Sequence, residues 1–234
     1  MKKLPSPSYL DFNGTLITNR RDIACHFNKY FTEIAQSLNE EKYGSNSKAT
    51  EPSDDFKKFL KNRVSNTMFF TDIDYGEIIT IISNFGNNKS SDFSVRALKL
   101  VKHQIAPLLA KLFNDCMYSG VFPAELKLAK VIPLFKGGKI NIVSNYRPIS
   151  ILPIFSKIFE KLIYNRLYTF LEANNILYNK QFGFRRQHST SHALNIAVST
   201  ITQAIDSKYK AMGIFIDFSK AFDTINHTIL LKKT

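Results

Sequence analysis

Between Ala211 and Phe218 the chain runs AMGIFIDF, an apolar stretch too short for a typical helix and interrupted by a single acid, Asp217. A run of that kind reads as a buried strand, with Asp217 near its C-terminal end. A carboxylate held among apolar side chains costs several kcal/mol unless it is paired or metal-bound. Acids leaving a strand commonly hydrogen-bond the following turn, and catalytic carboxylates project from the same place, so on these residues alone both readings stay open.

Upstream the pattern is helical. After Asp22, Ile23, Phe27, Tyr30, Phe31, Ile34 and Leu38 recur at three- and four-residue spacing, which predicts an amphipathic helix with Asp22 as its cap. Residues 43–52 (YGSNSKATEP) read as a linker and the likeliest internal boundary, ahead of a short helix from Asp54 to Arg63. Asp74 with Glu77 makes a capping-box start for a helix carrying Ile78, Ile79, Ile81 and Ile82, ended by the turn at residues 84–91. From Ser94 to Tyr118 helical spacing continues to Gly120, with Pro107 expected to divide it in two.

Ala129 to Phe135 (AKVIPLF) is short and β-rich, and Lys136-Gly137-Gly138-Lys139 leads towards another extended stretch near Tyr146, predicting a hairpin that bears lysines. Pro153 fits the first turn of a helix whose apolar face carries Ile154, Ile158, Leu162, Ile163, Leu167, Phe170 and Leu171 up to Asn174. Lys157, Lys161 and Arg166 on the remainder read as a solvated face or as the lining of a nucleic-acid channel. Ser189 to Ser207 predicts a helix burying Leu194, Ala197, Val198, Ile201 and Ile205.

Charge narrows the partner. The 234 residues carry 32 Lys and Arg against 19 Asp and Glu, for a net charge of +13. Residues 1–100 hold 14 basic and 12 acidic side chains and residues 101–234 hold 18 and 7, so a polyanion is expected on the second half. Solubility alone, or an anionic membrane, would account for the same surplus. With 20 Phe, 10 Tyr and 44% hydrophobic residues, a wholly disordered chain is excluded. Cys25 and Cys116 have no disulfide or zinc spacing and read as buried thiols. MKKLPSPSYLDF has no apolar signal region and no stretch reaches the length of a membrane span, so the chain reads as soluble and intracellular, and Asn13-Gly14-Thr15 as a turn.

Residues 215–223 (FIDFSKAFD) resemble the first palm motif of reverse transcriptases of non-LTR, LINE-type retrotransposons of the jockey-like kind. Three further blocks precede it in the expected order: KVIPLFKGG (Lys130 to Gly138), NYRPISILPIFSKIFEKLI (Asn145 to Ile163) and NKQFGFRRQHSTSHAL (Asn179 to Leu194). Four ordered blocks at suitable gaps are a specific signal. The first half is more loosely similar to the region between endonuclease and polymerase of such elements, through His26 to Phe31 and Asn88 to Asp92.

The resemblance implies RNA-templated DNA synthesis, in which a deoxynucleoside triphosphate is added to a primer 3′ hydroxyl with two divalent ions, Mg²⁺ or Mn²⁺. Asp217 would bind metal with the main-chain carbonyl of Phe218, the amides of Lys220 and Ala221 would meet the triphosphate, and Phe222 would crowd a ribose 2′-hydroxyl. Phe222 also reads as plain core packing. Lys136 and Arg147 match positions that grip the triphosphate, with Lys139 the substitute for Lys136 if the loop register shifts. Gln181, Phe182, Gly183, Phe184, Arg185 and Arg186 would contact the template by stacking and phosphate pairing, although the two phenylalanines equally suit a core flanking a turn. His188, His192 and His227 lack metal-ligand spacing, and Asp223 reads as a cap.

The expected architecture is α+β, an incomplete right-hand polymerase fold. Residues 1–70 would be a helical linker region, 71–126 a helical N-terminal extension, 127–210 the fingers and 211–234 the start of the palm, with the reverse transcriptase domain from about residue 115. No Tyr-x-Asp-Asp block, which would bring further palm carboxylates, occurs in the 234 residues. The chain therefore reads as a fragment, inactive alone, with RNA template, DNA primer and deoxynucleotides as the parent's partners and the nucleus as its expected place. A non-catalytic basic module that binds nucleic acid, or an inactive relic, is the rival reading.

Overall fold

Asp74 accepts a 2.7 Å hydrogen bond from Gly76 N while its own amide reaches Glu77 Oε1 at 3.4 Å, so the expected reciprocal cap opens a helix. The computed structural model describes residues 7–12, 14–43, 67–87, 93–218, 221, 225 and 230, with the side chains of 35–43 outside that description. The expected helix at 54–63, the linker residues 44–52, Asn13, and residues 88–91 of the expected turn lie outside it. Described in chain order are β1 (Leu10–Phe12), β2 (Thr15–Ile17), α1 (Arg20–Tyr43), α2 (Tyr75–Ser83), α3 (Val95–Leu100), α4 (Lys102–Ser119), α5 (Ala124–Lys127), β3 (Lys130–Phe135), β4 (Tyr146–Ile151), α6 (Ile154–Ala173) and α7 (Thr190–Asp206). Helices and small two-stranded antiparallel sheets, β1 with β2 and β3 with β4, make a mixed fold.

Two compact units divide these elements, the first reaching Leu167 inside α6 and the second starting at Tyr168. The main core of the first unit comes from one face each of α2, α3, α4 and the start of α6. Ile78, Ile82, Leu98, Phe113, Ile154, Ile158 and Leu162 are fully buried there. Phe113 and Phe159 stack at 4.7 Å, with Phe122 on Phe159 at 5.4 Å. The one buried polar side chain among the described residues, Ser156, donates to Leu126 O at 2.7 Å, which ties α6 to α5.

Arg166 is not on a solvated face. Its guanidinium meets both Glu77 carboxylate oxygens at 2.9 and 3.0 Å and donates to Thr71 O and Asp72 O at 3.0 and 2.9 Å. The Asn114 side chain pairs with both backbone groups of Ile73, at 2.7 and 3.1 Å, and Tyr118 donates to Asp72. The carbonyls of Thr71 and Asp72 and both backbone groups of Ile73 are thus satisfied by side chains of α4 and α6.

A smaller core joins β1, β2 and α1 to the β3–β4 hairpin through Leu10, Ile23, Phe27 and Tyr146. Phe27 meets Tyr146 edge-on at 4.9 Å, and Asp11 N donates to Asn141 O at 3.0 Å. At the β1–β2 turn Gly14, with φ 82°, donates to Asp11 Oδ1.

Several expectations need correction. α1 starts before Asp22: Asn19 Oδ1 takes Arg21 N at 2.8 Å, and Asp22 sits in the first turn, where its charge suits the dipole. The break between α3 and α4 falls at Val101, whose φ of −102° and ψ of 11° leave the helical region, and not at Pro107, which lies inside α4. There the proline costs one backbone bond without ending the helix. Gly120 does close α4, at φ 67°. Cys116 is buried but Cys25 is exposed.

The largest departures lie in the second unit. α7 forms behind its Ser189 cap, yet Leu194, Val198, Ile201 and Ile205 stay 48–63% exposed and Ala197 is exposed too. Residues 211–218 carry no strand, and Phe215 is 98% exposed. Periodicity and capping form a helix locally, but burial needs a facing element, and a strand needs a hydrogen-bonded neighbour; neither is present among the described residues.

Replacing Arg166 by Met should destabilise the first unit by about 2 kcal/mol, since Glu77 and two carbonyls lose their donor. In urea melts the double variant with Glu77→Gln should show a coupling of about 1 kcal/mol; strict additivity would mean the pair does not act as a unit. Burial, then the charge of Asp115, raises the Cys116 thiol above its ordinary range. Brief alkylation at neutral pH followed by peptide mass mapping should therefore label Cys25 and spare Cys116 until the chain is denatured.

Candidate functional site

The β3–β4 hairpin is built so that its two faces differ. Phe135 pairs with Tyr146 and Leu134 with Arg147, and the ladder continues one step further through Lys136 N to Asn145 O at 2.9 Å. Side chains alternate along a strand, so Lys136 and Arg147 lie on the same face as diagonal neighbours, opposite the face on which Tyr146 packs against α1. Both are exposed. Tyr146 is buried, its hydroxyl donating to Ile140 O at 2.7 Å, and burial raises its pKa.

The loop between the strands is fixed by Asn145, whose Nδ2 donates to Lys139 O at 2.9 Å. Gly137 and Gly138 carry φ of 132° and 91°, and a Cβ on Gly138 would stand 2.7 Å from Asn145 Nδ2. The two glycines are therefore what this turn requires, and it leaves Lys136 and Lys139 exposed at its two ends.

In the second unit the loop after α6 is held by one carboxylate. Arg185 meets Glu172 in a bidentate pair at 3.0 and 3.1 Å and also donates to Tyr178 O at 3.1 Å. Tyr168 donates to Glu172 Oε1 at 2.7 Å and accepts Arg186 N at 3.0 Å, and the Arg186 guanidinium lies 4.7 Å above the Tyr168 ring. Of the residues expected at a template, Arg185 is thus committed to holding the loop. Gln181 bonds across to Gly183 O at 3.2 Å, Phe182 is half-buried near His188, and Phe184 is 85% exposed at φ 61°. Glu172 and Tyr168 escaped the sequence reading; their spacing of four on one helix was the available signal.

Asp217 and Phe218 are exposed in the irregular segment 211–218, Ala221 lies in a turn, and Lys220, Phe222, Asp223 and His227 fall outside the described residues. The Asp217 carboxylate and the Phe218 carbonyl are hard oxygen donors of the type Mg²⁺ takes. Among the described residues no group of three His, Cys, Asp or Glu gathers to hold a metal, so these two donors do not by themselves make a metal centre. No described helix is long and apolar enough to cross a membrane.

Hydrogen bonds first from Arg185 and then from Tyr168 hold the Glu172 carboxyl below its ordinary value of 4.5. A depressed carboxylate contributes stability that is present above the ordinary value and lost as pH falls through the lowered one. Amide protection in residues 178–188, corrected for intrinsic exchange, should hold from neutral pH to about pH 5 and fall below that. Glu172→Gln should give low protection throughout; acid-insensitive protection in the unmodified chain would contradict the clasp.

Residues 136–234 match the family described as reverse transcriptase (RNA-dependent DNA polymerase). The chain is 40% identical over 139 residues to the RNA-directed DNA polymerase from mobile element jockey of Drosophila melanogaster, an alignment covering 59% of this chain and 15% of that protein. It is 37% identical over 139 residues to the jockey polymerase of Drosophila funebris, with the same coverages of 59% and 15%. To the probable RNA-directed DNA polymerase from transposon X-element of Drosophila melanogaster it is 34% identical over 172 residues, 72% of this chain and 19% of the relative. The chain thus spans less than a fifth of the length of these curated relatives. Over residues 136–234 the chain is thus similar to reverse transcriptases, and its relatives are the polymerases of mobile elements.

Proposed function

We propose that this chain forms the fingers and the first palm segment of an RNA-directed DNA polymerase of a mobile element, which adds deoxynucleotides to a primer 3′ hydroxyl on an RNA template. The observation that carries this is the placement of Lys136 and Arg147 as exposed diagonal neighbours on one face of a hairpin braced from behind by α1. A planar guanidinium and a point ammonium at that spacing suit the oxygens of a triphosphate, and Lys139 stands at the other end of the glycine turn.

In this reading residues 127–210 are fingers and residues 211–234 open the palm. Asp217 and the Phe218 carbonyl would help to hold a divalent ion, which when bound would supply positive charge to the reacting phosphoryl oxygens. The amides of Lys220 and Ala221 meet the triphosphate, and Phe222 excludes a ribose 2′-hydroxyl. Gln181, Phe184 and the Arg186 guanidinium face the template, with Phe182 and Gly183 shaping the loop and Arg185 fixing it through Glu172.

Primer extension on an RNA template with Mg²⁺ and deoxynucleotides tests this, using the chain joined to palm sequence that carries a Tyr-x-Asp-Asp block. Asp217→Asn should lower the extension rate about a thousandfold, the several kcal/mol a bound metal contributes, while leaving RNA affinity nearly unchanged. Lys136→Ala with Arg147→Ala should raise KM for the deoxynucleotide at least about tenfold. Full extension by the Asp217→Asn protein would refute the proposal.

A further inference from the structure

Between α1 and β3 lies a cleft of about 810 Å³, wholly within the first unit and ahead of the residues that match the polymerase family. One wall is the α1 face of Ile23, Phe27 and Phe31; the other is Ala129, Val131 and Pro133, alternate residues on one face at the start of the hairpin. Phe27 of α1 packs on Tyr146 beside the cleft and also lines it.

The ladder shows which backbone groups face it. Pro133 pairs with Pro148, and since neither has an N–H this must be a non-hydrogen-bonded pair. Hydrogen bonding alternates along an antiparallel ladder, so Val131 and Pro133 turn their backbone groups away from β4. Among the described residues β3 pairs with β4 alone, leaving its outer edge open, with an N–H and a C=O at Val131 and a C=O at Pro133. The cleft's lining includes residues of β3 and none of β4, which puts it on that open side.

Unpaired strand groups beside an apolar slot are what an added strand needs. Arg20 is the one charged side chain in the lining, and it is exposed. With Arg21 beside it in sequence, also exposed, the mouth favours an acid. Pro133 interrupts the edge's donors, which restricts the site to a short added strand and opposes open-ended pairing of whole sheets.

We propose that this cleft receives an extended peptide of a partner polypeptide, which adds to the free edge of β3, seats small apolar side chains at alternate positions against α1 and places a carboxylate on Arg20. About five residues at a strand rise of about 3.3 Å match the edge from Ala129 to Pro133. The site is independent of the nucleotide-gripping face, which lies on the opposite side of the hairpin.

Fluorescence anisotropy with the full 234-residue chain tests this, using a labelled six-residue peptide of alternating valine and threonine with one aspartate. Saturable binding is expected, weakened about tenfold by N-methylation of alternate peptide bonds and by Val131→Pro, which removes an outward N–H and no bond to β4. Arg20→Gln should weaken it about threefold, and exchanging the peptide's aspartate for asparagine should do the same without adding to it. Ala24→Trp, on the exposed side of α1, should fill the slot and abolish binding while circular dichroism stays unchanged. Lys136→Ala with Arg147→Ala should leave the peptide affinity intact, so failure here is separable from failure of the polymerase reading. Absence of binding, indifference to N-methylation, or an RNA oligonucleotide that Ala24→Trp releases in place of the peptide would each overturn the proposal.

Discussion

Arg166 is the side chain on which the first unit depends. A guanidinium presents five donors in one plane, and this one spends them on the Glu77 carboxylate and on the carbonyls of Thr71 and Asp72. Among the described residues no strand pairs with residues 71–74, so Arg166 and Asn114 supply the bonds that hold this segment at the entry to α2, whose Ile78 and Ile82 are seated in the core. Electrostatics and apolar packing are therefore coupled here: the ion pair fixes the segment and the core holds the ion pair partly dry.

The same logic recurs further along α6, where Glu172 takes the place of Glu77 and Arg185 that of Arg166. In both cases a bidentate pair fastens an irregular segment to a helix. The β3–β4 hairpin uses another device, in which aromatic packing of Tyr146 and Phe27 on one face leaves the other free for cations. A hairpin of two strands is marginal by itself, and α1 supplies the apolar cover that lets the tip keep its geometry.

Local signals in the sequence carried most of the elements. The Asp74 and Glu77 cap, the helix start at Ser189, the Gly120 stop and the β-rich KVIPLF segment each act within a few residues, and each stands where it was expected. What escaped was set at long range. Arg166 reads as a solvated helix residue until Glu77 is brought to it across 89 positions, and Arg185 reads as a template contact until Glu172 claims it. Pro107 misled because a helix early in its course tolerates one missing N–H. The apolar run around Asp217 misled because strand formation is a property of pairs of segments. Lys136 and Arg147 were legible as types from the flanking blocks, but their sharing of a face follows only from the register.

Photolabelling with an azido-deoxynucleoside triphosphate, mapped by peptide mass spectrometry, tests most directly whether the cationic face of the hairpin grips a nucleotide. Adducts should concentrate in the peptides containing Lys136 to Arg147, and unlabelled deoxynucleotide should suppress them. Adducts scattered over the basic surface, or on the hairpin but indifferent to competitor, would contradict a nucleotide site there.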